Sequence, residues 1–133
     1  MKESSESKPV KAREKKGLFF RRAHRVRSRA DFALIYGQGV RARGNHILIV
    51  ATPNDQPSGA RLGLSVGRKY SPSAVFRNRA KRILREVFRH IRKDLPSWDL
   101  IVIPLQRGKR LSFTEVESEW LSLIPKLAKK LAQ

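Results

Sequence analysis

The segment SAVFRNRAKRILREVFRHIRK, Ser73 to Lys93, gathers Arg77, Arg79, Lys81, Arg82, Arg85, Arg89, Arg92 and Lys93 around a lone acid, Glu86. Arginine presents a planar fork of donors that matches phosphate oxygens, so the chemistry of such a run is anion binding. Groups for covalent chemistry are not assembled anywhere. His24, His46 and His90 fall in separate segments, and the acids are scattered, mostly in the first residues and near the C-terminus. Acid–base cleavage of a phosphodiester asks for paired histidines, and metal-assisted cleavage for clustered carboxylates. No catalytic residue and no directly bound metal are therefore expected in the chain itself. Cysteine is absent, which removes disulfides, thiolate metal sites and thiol nucleophiles.

Thirty Lys and Arg face eleven Asp and Glu over 133 residues, a formal charge of +19. Solubility needs far less, so the excess implies a polyanionic partner. The length suits one domain with a modest core. No apolar run approaches the roughly 18 residues that span a bilayer, and the first residues, MKESSESKPVKAREKKG, lack the apolar stretch of a signal peptide. A cytoplasmic chain without membrane contact is expected.

The elements that position these residues follow from periodicity. Residues 1–17 are Lys, Glu and Ser with almost nothing apolar, which predicts a disordered basic tail ahead of a single domain over 18–133. RSRADFALIYGQG places Phe32, Ile35 and Tyr36 at helical spacing, with Ser28 or Arg29 near the start and Gly37 or Gly39 as the stop. HILIVAT, 46 to 52, and RLGLSVGRK, 61 to 69, read as neighbouring antiparallel strands joined through PNDQPSGA. In the basic segment, Ser71 and Pro72 look like a cap and first helical position. Ala80, Ile83, Leu84, Val87 and Ile91 then form an apolar stripe, with Asn78, Arg82, Arg85, Arg89 and Arg92 opposite. WDLIVIPL has the composition of a buried central strand, and Ser112 with Glu115 has capping-box spacing ahead of a last helix that Pro125 should kink. The resulting order is α-β-β-α-β-α, an α+β fold with helices packed on a small sheet, the basic helix crossing between two strands.

A solvated charged surface is the ordinary meaning of a basic helix face, and Arg82 and Glu86 have the spacing of a helix pair. One glutamate cannot neutralise Arg77, Arg79, Arg85, Arg89 and Arg92, and like charges one turn apart destabilise a helix. A phosphate backbone would relieve that repulsion.

AVFRNRAKRILREVFR, Ala74 to Arg89, resembles the signature of the bacterial ribonuclease P protein component: Arg-Asn-Arg, any residue, Lys-Arg, then Arg after a two-residue gap. Arg77, Asn78, Arg79, Lys81, Arg82 and Arg85 match it position by position. RVRSRADFALIYGQG resembles the first helix of that family through Arg25, Val26, Asp31, Phe32, Tyr36 and Gly39. RLGLSVGRK resembles its Gly-Leu-Ser-Val strand, and WDLIVIP its later strand.

The resemblance implies a mixed sheet with an unusually left-handed βαβ crossover, like domain 2 of ribosomal protein S5. It implies a subunit that joins a large catalytic RNA, with precursor tRNA as substrate, in removal of the 5′ leader. Magnesium would be bound mainly by that RNA, with Asn78 near it, and neither a tightly bound cofactor nor a small-molecule substrate is implied for the chain. Arg77, Asn78, Arg79, Lys81, Arg82, Arg85 and Arg89 would face the RNA. A cleft for single-stranded leader would be lined by Phe32, Tyr36, His46, Leu48, Val50, Ser65, Gly67, Arg68 and Lys69. Strand alternation places His46, Leu48 and Val50 on one face, and a mixture of apolar, aromatic and cationic groups holds single strands without strict sequence readout. Without the resemblance, Phe32 and Tyr36 at helical spacing would read as core, and Lys69 at a strand end as simply solvated. A ribosomal or general RNA-binding protein is the rival reading; a helix-turn-helix DNA binder fits less well because strands flank the basic helix.

Overall fold

Ser28 caps the first helix, α1 (Arg29–Gln38), by accepting the N–H of Asp31 on its Oγ at 3.0 Å. Asp31 adds negative charge in the first turn, where the helix dipole favours it. The helix ends where Gly39 N–H donates to Ile35 O at 2.7 Å. A Cβ on Gly39 would lie 2.5 Å from that carbonyl and 2.7 Å from Val50 Cγ1, so the chain can turn this close to the sheet only at glycine.

The structure is a computed structural model that describes residues 24–55 and 59–133. The tail expected over 1–17 lies outside the described residues. Four strands follow or flank the helices: β1 (Val40–Arg43), β2 (Ile47–Pro53), β3 (Arg61–Leu64) and β4 (Trp98–Pro104). They form one mixed sheet in the order β1-β2-β4-β3, antiparallel except for the parallel pair β3 and β4. The basic helix α2 (Ala74–Ile91) crosses between those parallel strands, and α3 (Phe113–Leu131) follows β4.

Alternation along the strands divides the sheet into two faces. Ile47, Ile49, Ala51, Leu100 and Val102 pack under α2 and α3, where Leu84, Phe88, Trp120 and Leu127 are buried with them. Val50 and Ile101 point the other way and are covered by Ile35 of α1, with Val26 beside them. The architecture is α+β in three layers, α1, then the sheet, then α2 with α3.

Several expectations change in detail. β1 was not anticipated: VRAR reads as loop, but at a sheet edge Arg41 and Arg43 stay exposed while Ala42 is buried. β3 ends at Leu64, and β4 lies between it and β2, so the two strands expected to be neighbours do not pair. Burial on both faces draws the most apolar strand, β4, into that central place. Ser73, not Ser71, caps α2, accepting Phe76 N–H at 3.2 Å; Ser71 Oγ instead accepts Ser73 N–H at 3.1 Å. Glu86 pairs with Arg89, at 3.5 Å, rather than with Arg82. α3 continues through Pro125, which sits on its exposed side, where water can take the carbonyl that proline leaves without a donor.

Candidate nucleic-acid interface

Register sets the site. Arg41, Val50, Ile101 and Gly63 stand in one row across the sheet, and Arg43, Leu48 and Ile103 in the next. Ser65 extends the second row, its N–H donating to Val102 O at 3.1 Å. α1 roofs the first row, so Val50 and Ile101 are both 0% exposed. The second row stays open: Leu48, Ile103 and Ser65 are half-buried and Arg43 is exposed.

The wall of this trough is aromatic. Phe32 can approach the sheet this closely because position 63 is glycine; a Cβ there would come 2.8 Å from Phe32 Cζ. Tyr36 follows one turn later, with ring centroids 6.5 Å apart. The Arg41 guanidinium stands 6.0 Å from the Tyr36 ring centre and donates to Tyr36 O at 3.4 Å. An apolar floor, aromatic wall and cationic lip suit stacked bases on a charged backbone.

Beyond Phe32 the surface turns over the β3 edge into a groove of about 230 Å³, lined by Arg25, Arg27, Phe32, Gly63, Lys81 and Arg85 among others. Val26 N–H donates to Leu62 O at 2.9 Å, so residues 25–26 run alongside β3 and form the outer bank. The Arg85 guanidinium is pulled below its ordinary pKa by burial and then by the positive fields of Arg25 and Arg89. A phosphate in this groove would relieve that field. On α2 itself Asn78, Arg79 and Arg82 are exposed, Lys81, Arg85 and Arg89 half-buried, and Arg77 Nη1 donates to Ser71 O at 3.0 Å.

Five of the expected cleft positions are arranged otherwise. Val50 supports the trough from beneath and cannot line it, because Ile35 covers it. His46 lies just before β2, and its Nδ1 is 3.0 Å from Glu119 Oε1 of α3, so the ring is held toward the opposite layer. Gly67, Arg68 and Lys69 lie in an exposed loop after β3, not on the strand. Phe32, Tyr36, Leu48 and Ser65 do come together. Sequence reasoning missed Ile103, Arg41 and Arg43. Ile103 was hidden in an unbroken apolar run that gives no face, and the two arginines sit on a strand too polar to be read as one. Only the cross-strand register exposes all three.

Among the described residues no group of three or more His, Cys, Asp or Glu could hold a metal ion. No described helix is long and apolar enough to cross a membrane.

Residues 20–128 match the family model described as Ribonuclease P. The chain belongs to the ribonuclease P protein family. It is 37% identical over 117 residues to the ribonuclease P protein component of Maridesulfovibrio salexigens, covering 84% of this chain and 93% of that one. Against the component from Staphylococcus haemolyticus it is 36% identical over 108 residues, covering 81% and 92%. Solved structures agree: the RNase P protein of Staphylococcus aureus superposes with a TM-score of 0.67 at 31% identity, covering 80% of this chain and 95% of that one. The Thermotoga maritima protein gives 0.68 at 32%, covering 77% and 96%. As a bacterial ribonuclease P protein component, the chain is a subunit of an endoribonuclease and takes part in 5′ processing of tRNA.

Proposed function

We propose that this subunit joins a large catalytic RNA in the cytoplasm, holds the 5′ leader of precursor tRNA in the trough beside α1, and promotes magnesium-dependent removal of that leader. The observation that carries the reading is the continuous band from Arg41 through Tyr36 and Phe32 to Arg25, Lys81 and Arg85. A single strand stacked on Phe32 and Tyr36 would run directly onto the cations of α2, where Arg77, Asn78, Arg79, Lys81, Arg82, Arg85 and Arg89 take phosphates.

The chemistry of bond cleavage falls to the RNA in this reading. Among the described residues no cluster of His, Asp or Glu could hold a divalent ion, and the His46–Glu119 pair is taken up in fastening the turn before β2 to α3, so magnesium fits the RNA's phosphates better than a protein-held site. Asn78, exposed between Arg77 and Arg79, would contact RNA or water around such an ion. The protein's part is electrostatic screening between two polyanions and retention of the leader, which keeps the scissile phosphate in place.

A magnesium titration of precursor tRNA cleavage tests the division of roles. The large RNA alone should cut slowly and only at high magnesium, and adding this chain should move cleavage to lower magnesium. The chain without RNA should not cut at any concentration. Specific cleavage by RNA-free protein, surviving removal of contaminating nuclease, would overturn the reading.

A further inference from the structure

Strand β1 lies at the sheet edge, bonded to β2 alone, yet it carries both arginines at the lip of the trough. A four-residue strand paired on one side only is the kind of segment that opens first in a folded protein. Helix α3 grips this strand from the opposite layer. Ala42 is buried in the same core as Trp120, Leu123 and Leu127 of that helix. Lys130 Nζ donates to Arg41 O, and the Glu119 carboxylate accepts the N–H groups of Asn45, His46 and Ile47, where the chain turns from β1 into β2. Glu119 and Lys130 are eleven residues apart, about three helical turns, so both leave the same side of α3. The strand is held at two points.

Gly44 shows how closely the carboxylate is seated. A Cβ at this position would lie 2.3 Å from Glu119 Cδ and Oε2. Gly44 does not have a positive φ, so the space taken by the carboxylate, and not the backbone conformation, reserves the position for glycine. Gln106 Nε2 donates to Asn45 O at 2.9 Å and closes the turn from a third side.

Arg41 is consequently fixed from both layers. Its carbonyl is bonded by α3, while its guanidinium donates to Tyr36 O at 3.4 Å and stands 6.0 Å from the Tyr36 ring centre on α1. If β1 shifted, the guanidinium would leave the ring and Arg43 would move with it. A surface ordered before its ligand arrives binds with less entropy loss.

We propose that Glu119, seated against Gly44, and Lys130 are positioning residues for leader recognition: from the layer behind the sheet they fix β1 so that Arg41 and Arg43 meet the leader's phosphates. This role rests on the reading that the leader lies in the trough, and it makes α3, which touches no RNA in that reading, a determinant of how tightly the leader is held.

The test uses holoenzyme reconstituted with the large catalytic RNA. Lys130→Met keeps the aliphatic stem and removes the donor, Lys129→Met removes the same charge one position away, and Gly44→Ala changes no charge but displaces the Glu119 carboxylate. Affinities for precursor and mature tRNA are measured for each, with thermal melts and a titration of the catalytic RNA to confirm fold and assembly. Lys130→Met and Gly44→Ala should each weaken precursor tRNA about threefold to tenfold and leave mature tRNA unchanged, whereas Lys129→Met should change neither. Lys130→Met, at the exposed end of α3, decides alone if Gly44→Ala does not fold. In an Arg41→Ala/Arg43→Ala background, which keeps the carbonyl that Lys130 bonds, the effect of Lys130→Met should fall below about twofold, because it passes through those guanidinium groups. An undiminished effect in that background, an equal loss from Lys129→Met, a loss shared by mature tRNA, or no loss at all would overturn the positioning role. Phe32→Ala separates this outcome from the reading beneath it. If Phe32→Ala weakens precursor tRNA selectively while Lys130→Met does not, the positioning role alone fails; if Phe32→Ala leaves the discrimination unchanged, the trough reading fails and the positioning role with it.

Discussion

Glu119 of α3 accepts the N–H groups of Asn45, His46 and Ile47 at 3.0, 2.8 and 2.8 Å, and its Oε1 also lies 3.0 Å from His46 Nδ1. One carboxylate thereby fastens the β1–β2 turn to the helix on the far side of the sheet. Arg43 and Leu48, which line the open end of the trough, flank that turn. The position of the trough's mouth consequently depends on a residue that no RNA in the trough would touch.

Burial alone would raise the carboxyl pKa of Glu119, but the backbone bonds from Ile47 and His46, the His46 ring and Asn45 together bring it below its ordinary value. A carboxylate lowered in the folded state stabilises at pH values above its unfolded pKa of about 4.3, and that contribution disappears as pH falls through the folded value. Glu119→Gln should therefore lose about 2 kcal/mol or more at neutral pH. Denaturant unfolding should show the gap between wild type and variant closing below about pH 4. A gap that does not change with pH would mean that the charge plays no part in the clasp.

Gly63→Ala probes the seat of Phe32. The added methyl meets Phe32 Cζ at 2.8 Å and Val26 Cβ at 3.2 Å, so the ring must lift from the sheet. Overpacking of this kind costs about 1 to 3 kcal/mol. The folded variant should bind precursor tRNA less tightly while its affinity for mature tRNA holds, as read by paired binding titrations. Unchanged discrimination would separate Phe32 from the leader.

The arrangement of layers was legible in the sequence where local signals agreed. Ser28, the spacing of Phe32, Ile35 and Tyr36, and Gly39 define α1 almost residue by residue, and Ser112 with the apolar stripe after it defines α3. The signature from Arg77 to Arg85 marked the basic helix and the family. Pairing was less legible, because which strand neighbours β2 depends on contacts between residues about fifty apart, and β4 wins that place by its burial on both faces. His46 illustrates the limit most clearly. Alternation puts it in the trough, but it lies beyond the strand's end, where a carboxylate from α3 directs the ring. Nothing near His46 in the sequence announces Glu119.

Arg82→Ala/Arg85→Ala removes two cations from α2 without touching its apolar stripe. Assembly with the large RNA should weaken, and its salt dependence should flatten by about one to two units of slope, while the melting temperature changes little. Loss of folding instead would make these arginines structural.

The most direct measurement is the affinity of the reconstituted holoenzyme for precursor and mature tRNA, compared between wild type, Phe32→Ala and Tyr36→Ala, with thermal melts confirming that each variant is folded. A base stacked on these rings contributes about 1 to 3 kcal/mol. Binding of precursor tRNA should weaken by that amount and binding of mature tRNA, which has no leader, should stay as it was. Equal weakening of both RNAs, or of neither, would contradict a leader held in the trough beside α1.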